Sequence, residues 1–207
     1  MLISTPMMNL NNFKVPRRGF LAGMLTTAVV GPAYALDNAT ATKLVDEVVL
    51  EINQAINSGA SEAKLIKAFE GIFAKYADVN IISRSALGPR ARTASALELN
   101  KFSFAFRSYI ARKYGRRFKE FVGSAIIVKN TTNLGKFFEV NALAKMQGYA
   151  PFEVAFRVSD RSGKQLFFDI IIEGISLLSS ERVEIGALLD ARNGDIGRLT
   201  QDLSDLS

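Results

Sequence analysis

Cysteine and histidine are both absent from this 207-residue chain. Without them there is no thiol nucleophile, no Ser-His-Asp triad, no Cys/His zinc site and no lipid attachment through an N-terminal cysteine. The imidazole on which most acid–base chemistry near neutral pH depends is missing too. Carboxylate and lysine chemistry stay open, so a binding protein is expected rather than an enzyme, with no catalytic residue, no metal and no cofactor. Tryptophan is also absent, and proline occurs only five times. At 48% hydrophobic residues the chain is still rich enough to bury one substantial core.

Long apolar runs are scarce as well. The longest near the N-terminus, Phe20 to Val30, spans 11 residues, where a bilayer crossing needs about 20. It sits in "VPRRGFLAGMLTTAVVGPAYA", behind the pair Arg17-Arg18 and ahead of Ala33-Tyr34-Ala35, a small-x-small cleavage pattern. Residues 1–35 are therefore expected to be a cleaved signal peptide of twin-arginine type; a buried N-terminal helix is the alternative. The mature chain, 36–207, would begin at Leu36 in a bacterial periplasm. Cleavage removes Lys14, Arg17 and Arg18 and no acid, so 26 basic residues become 23 against 20 acids and the net charge falls from +6 to +3. Much of the apparent basicity belongs to the signal, and no nucleic-acid partner is expected.

The first half of the mature chain, about 36–118, has helical periodicity. Leu44, Val45, Val48, Val49, Ile52 and Ile56 recur at helical spacing after the polar "DNATAT". Ser61 opens a second stripe running from Leu65 to Tyr76, and "DVNIISRSALG" forms a short third helix closed by Gly88-Pro89. A long helix is expected from about Ala91 to Tyr114, with Gly115 as its stop. From about 119 to 207 the period changes. "SAIIVKNTT", "KFFEVNALAKM", "PFEVAFRVSD" and "QLFFDIIIEGI" read as four strands, followed by two helices near Ser180–Arg192 and Asp195–Leu203. Helices first and an antiparallel sheet after them predict an α+β fold in a single domain.

"RSYIARKYGRRFKEF", Arg107 to Phe121, holds six basic residues and no acid before Glu120. Cations at a helix C-terminus are favoured by its dipole, at about 0.3–1 kcal/mol each. Arg112, Arg116 and Arg117 can thus be a solvated helix end, or a basic surface for acidic partners or phospholipid head groups.

"FAFRSYIARKYGRRF", the turn "DRSGK" with "FFDIIIEGISLL" after it, and "SERVEIGALLDARNGDIGRL" together resemble the MlaC family, also called the toluene-tolerance family. These are soluble periplasmic phospholipid-binding proteins of the system that maintains outer-membrane lipid asymmetry. The resemblance runs from about residue 40 to 203. It implies an NTF2-like curved antiparallel sheet packed on a helical subdomain around a deep apolar cavity. It also implies a monomeric carrier of phospholipid cargo that makes only transient membrane contact. Its implied partners are an outer-membrane lipoprotein–porin complex and an inner-membrane ABC transporter with a hexameric lipid-binding subunit. A hopanoid-associated branch of the family is an alternative, as is a carboxylate enzyme on an NTF2-like fold. The twin-arginine signal departs from the ordinary secretory signal of many members.

If such a cavity exists, the sheet face of Ile126, Val128, Phe138, Val140, Val154, Phe156, Phe168, Ile170 and Ile172 should look across it at Phe102, Phe106 and Ile110. The same residues would also suit a filled core. Arg84, Arg90 and Arg92, around Gly88-Pro89, are candidate head-group contacts, or plain surface cations. Asp169 and Glu173 would share a strand face roughly 13 Å apart, too far for a glycosidase-like carboxylate pair, which needs about 5–10 Å.

Overall fold

Asp37 opens the first helix by accepting the Thr40 amide at 2.8 Å while Thr40 returns a bond to the Asp37 N–H. This reciprocal cap places the polar "NATAT" after Asp37 inside helix α1 (Asn38–Ile56) rather than ahead of it. Ser61 precedes α2 (Glu62–Tyr76), and Asp78 caps α3 (Val79–Leu87) through the Ile81 amide. A 3-10 segment, Gly88–Arg92, follows, so the long helix α4 (Ala96–Gly115) starts five residues later than its periodicity predicts. Its start is set by a second reciprocal cap, Ser95 with Glu98. Gly115 does not end α4 in a left-handed turn; the chain tightens directly into a 3-10 segment, Arg116–Phe121.

The computed structural model describes residues 36–205, which belong to one compact unit. The expected signal segment, with Arg17, Arg18, Ala33 and Ala35, lies outside the described residues.

Five strands follow: β1 (Ala125–Asn133), β2 (Phe138–Lys145), β3 (Phe152–Ser159), β4 (Leu166–Ile172) and the two-residue β5 (Ile175–Ser176). They pair antiparallel in chain order as a curved meander. The first four are the predicted strands; β5 is too short to carry any period of its own. Helices α5 (Leu177–Asp190) and α6 (Ile196–Asp205) close the chain, α5 beginning three residues before its predicted start because Ser176 caps it through the Ser179 amide. The fold is α+β.

Two irregularities bend the sheet. The register skips Lys129 in β1 and Phe168 in β4, and such bulges raise local twist. The second turns Phe167 inward opposite Val158, where its ring meets Phe73 and Phe156. The outer edge at β1 is covered by α1. Asn53 exchanges two bonds with the backbone of Ile126, and Asn57 bonds Ser124 and Gly123. An edge strand gripped in this way is a poor template for pairing with another chain.

The inner face of β2 tapers: Phe138, Val140, Ala142, Ala144. Opposite them on β3 stand Val158, Phe156, Val154 and Phe152. At the Phe138 end the space between sheet and helices is filled. At the Ala144 end two alanine side chains leave room.

Candidate functional site

That room is a cavity of about 780 Å³, within the range of about 300–1,000 Å³ usual for small-molecule sites. Its floor is the open end of the sheet, with Ile126, Ala144, Phe152, Val154, Phe156, Phe167, Ile170 and Ile172. The register gathers Ile126, Ala144, Phe152, Val154 and Ile172 at one end, since Ala125 faces Lys145, Ala144 faces Phe152 and Val154 faces Ile172. Phe156 and Ile170 pair mid-sheet, and Phe167, opposite Val158, reaches in from farther along. Its roof is helical: Ile52 and Ile56 of α1, Phe69 and Phe73 of α2, Ile82 of α3, Ile110 and Tyr114 of α4, and Leu177 and Leu178 of α5. Several lining residues also reach solvent, namely Arg117, Glu120, Tyr149, Ala150 and Glu173, which marks them as the rim.

The wall is not uniformly apolar. Where α4 faces α5, a line of polar side chains joins the two helices. Lys113 donates to Glu181 at 2.7 Å and also pairs with Glu184. The Tyr114 hydroxyl donates to Glu181, and the Tyr109 hydroxyl donates to Glu184. Burial, reinforced by these carboxylate acceptors, pushes both phenols well above their ordinary range, so they stay protonated and donate to the carboxylates. For Lys113, burial opposes the charge, but the two carboxylates outweigh it and the ammonium is held above its usual value. Asp169 is likewise occupied: it accepts from Ser176 and the Leu178 amide at 2.8 and 3.0 Å, and Arg157 lies 3.5 Å away. It holds the β4–α5 corner together. Glu173 stands beyond the end of β4 with φ of +48°, so the two carboxylates do not share a strand face. Among the described residues no cluster of acidic side chains could hold a metal ion.

A sequence model of the MlaC protein family matches residues 42–205. The chain belongs to the MlaC family. A solved structure with the same fold is the phospholipid-binding protein from Ralstonia solanacearum in complex with a phospholipid, at 1.53 Å. It superposes with a TM-score of 0.68 at 19% identity, covering 80% of this chain and 95% of that one. Of the segments that carry the resemblance in this MlaC-family chain, the end of α4, the β4–β5 corner and the first turns of α5 line the cavity, whereas α6 does not border it.

Of the twelve residues expected around a cavity, seven border it: Ile110, Ile126, Val154, Phe156, Phe168, Ile170 and Ile172. The other five do not. Phe102 and Phe106 are wholly buried in the solid part of the core, their rings 5.7 Å apart, two turns and one turn before Ile110 on α4. Phe138 and Val140 lie at the filled end of β2, and Val128 packs against the core from β1. A helical or alternating stripe identifies a face, but the hollow occupies only one end of it. Phe69, Phe73, Phe152 and Phe167, absent from the sequence-based set, belong to the wall. The shrinking side chains along β2 were the one local signal of open space.

The six arginines are not gathered at one site. Arg112 donates to the Leu203 carbonyl and clamps α6 to α4. Arg90 lies over Gly194, where an added Cβ would meet its guanidinium at 2.7 Å. Arg84 and Arg92 are exposed and do not border the cavity, and Arg116 is exposed beside its mouth. Only Arg117 borders it, with Glu120 at 3.5 Å.

Proposed function

We propose that this protein is a phospholipid carrier of the periplasm, holding acyl chains in the cavity between sheet and helices while the head group stays near the rim. The observation that carries this reading is the hollow itself. It is open at one end, walled by phenylalanine, isoleucine and valine, and set where the sheet carries alanine instead of bulk. A diacyl lipid exposes roughly 30 methylenes to water at about 0.8 kcal/mol each, so on the order of 25 kcal/mol must be recovered for the tails to leave a bilayer. An apolar wall can recover it without any catalytic group. Membership of the MlaC family and the lipid-bound Ralstonia relative support the same reading.

In this reading residues 1–35 direct export and are removed, and the folded remainder works as a monomer. It exchanges lipid with an outer-membrane lipoprotein–porin complex on one side and an inner-membrane ABC transporter with a hexameric lipid-binding subunit on the other. Arg116 and Arg117, beside the mouth, serve the docking step. The test is organic extraction of the purified protein followed by mass spectrometry, with uptake from liposomes measured in parallel. Phospholipid should be found bound in near-stoichiometric amount. Ile172→Asp, which places a charge on the cavity floor, should lower it severalfold in a protein that still melts cooperatively. Absence of both bound lipid and uptake in the wild type would overturn the proposal.

A further inference from the structure

Nine large apolar side chains are exposed among the described residues, and three of them stand around the opening of the cavity. Each sits in a different loop. Val122, 56% exposed, follows Phe121 of the cavity lining, between the second 3-10 segment and β1. Tyr149, 71% exposed, crowns the β2–β3 turn and itself borders the mouth. Ile175, 63% exposed, lies in β5 between Glu173 and Leu177, which both border the cavity. The first two loops adjoin, since an added Cβ at Gly123 would stand 3.4 Å from the Gln147 side chain. The other six are spread over α1, α4, α5, β1 and the β1–β2 turn. Single apolar residues on a surface are ordinary, whereas a group of them around an opening marks a contact site. Net charge does not choose the partner: among the described side chains beside the opening, exposed Arg116, Arg117 and Lys145 are offset by exposed Glu120, Glu153 and Glu173. What is left to drive a contact is apolar surface, and tyrosine favours the boundary between water and lipid.

We infer that Val122, Tyr149 and Ile175 are the points at which this protein enters a bilayer surface, seating the mouth of its cavity against the lipid it takes up. The inference rests on the carrier reading above and names the surface that the mouth meets. Three tips on separate loops suit a surface that gives way around each of them. Tails that pass beneath them from bilayer to cavity stay out of water throughout. The side chains need reach only the boundary between head groups and acyl chains, so the contact is shallow and reversible.

The chain has no tryptophan, so one can be introduced as the sole reporter. Val122→Trp, and Leu134→Trp as a control at the filled end of the sheet, are each mixed with phosphatidylcholine vesicles whose acyl chains carry bromine, a quencher. Emission from Val122→Trp should move to the blue and be quenched, in low and high salt alike, while that of Leu134→Trp stays unchanged. Quenching lost when the vesicles are spun away belongs to docking; quenching that stays belongs to bromolipid carried in the cavity. In parallel, the double variant Val122→Ser/Ile175→Ser, which alters no residue of the cavity lining, should take up lipid from vesicles about tenfold more slowly than wild type. That factor corresponds to about 1.4 kcal/mol, a fraction of what burying a valine and an isoleucine supplies. Once loaded from detergent it should hold as much lipid as wild type. The reporter decides alone should the double variant not fold. An emission unmoved by vesicles, quenching that stays wholly after their removal, a signal abolished by high salt, an equal response from Leu134→Trp, or an unchanged uptake rate would each overturn the inference. Any of these would turn the three tips into a docking face for a protein and leave the carrier reading standing. Failure of the wild type to retain lipid loaded from detergent would overturn the carrier reading itself.

Discussion

At Gly115 the backbone of α4 comes so near α2 that an added Cβ would lie 3.0 Å from the Cα and 3.1 Å from the Cγ1 of Ile66. The periodicity of the chain suggested a helix stop there, because glycine commonly ends helices in a left-handed turn. Its φ is not positive, so the residue is needed for the missing carbon rather than for backbone freedom. Gly115→Ala gains helix propensity, up to about 1 kcal/mol in a helix interior and less at a terminus, but forces two backbones apart at the roof of the cavity. The net effect should be a loss of about 1–2 kcal/mol, read as a lower urea midpoint. Gly115→Val should lose more. A neutral or stabilised alanine variant would show that α4 and α2 can separate freely. Other residues were equally opaque from sequence alone. Asp169 looked like an exposed partner of Glu173, yet it is buried as the anchor of a corner: it stands opposite Arg157 in the register, and Ser176 and Leu178 fold over it.

The α4–α5 seam belongs to the scale of elements. Two helices that roof a hollow cannot meet through the greasy contacts that would fill it, and here they meet through long polar side chains instead. Burial pushes the Glu184 carboxyl upward, but hydrogen bonds from Lys113 and Tyr109 outweigh it, and the group sits below its ordinary value. A carboxyl depressed in the folded state contributes stability that is present above the unfolded value, about 4.3, and is lost as pH falls through the lower folded one. Lys113, raised in the folded state, contributes below its unfolded value of about 10.4 and loses that contribution as pH rises through the higher folded one. The seam is therefore closed across the neutral range and weakened at both extremes. Because Glu184 is 46% exposed, solvent screens the effect. The stability difference between wild type and Glu184→Gln, from urea midpoints, should shrink between about pH 5 and pH 3. A difference constant with pH would mean that Glu184 is not titrating within the seam.

For the whole molecule, an open apolar cavity means that folding and loading are linked. A protein with about 780 Å³ of unfilled interior lacks part of the packing a solid core supplies, and cargo restores it. Ligand at 100 times its dissociation constant stabilises by about 2.7 kcal/mol. At about 2–4 °C per kcal/mol for a chain of this size, delipidated protein should melt roughly 5–11 °C below loaded protein in calorimetry. Identical melting temperatures would argue that the cavity holds nothing that matters to the fold.

The sequence by itself determined the elements and their order. Helical stripes and alternating strands repeat over a few residues, so local physics reads them; the caps Asp37 and Ser95, which set where α1 and α4 begin, were not read from the periodicity. It also determined the α+β class, and its absent residue types argued for binding over catalysis. Only the tertiary structure decided that Phe102 and Phe106 are solid core while Phe69, Phe73 and Phe167 wall a hollow. It also decided that the arginines scatter while carboxylates gather at the lining. A periodic pattern says which face of an element is apolar. Whether the opposite face touches it or stands several ångströms away depends on register, bulges and close approaches such as that of Gly115 to Ile66, which are settled by the packing of all the elements at once.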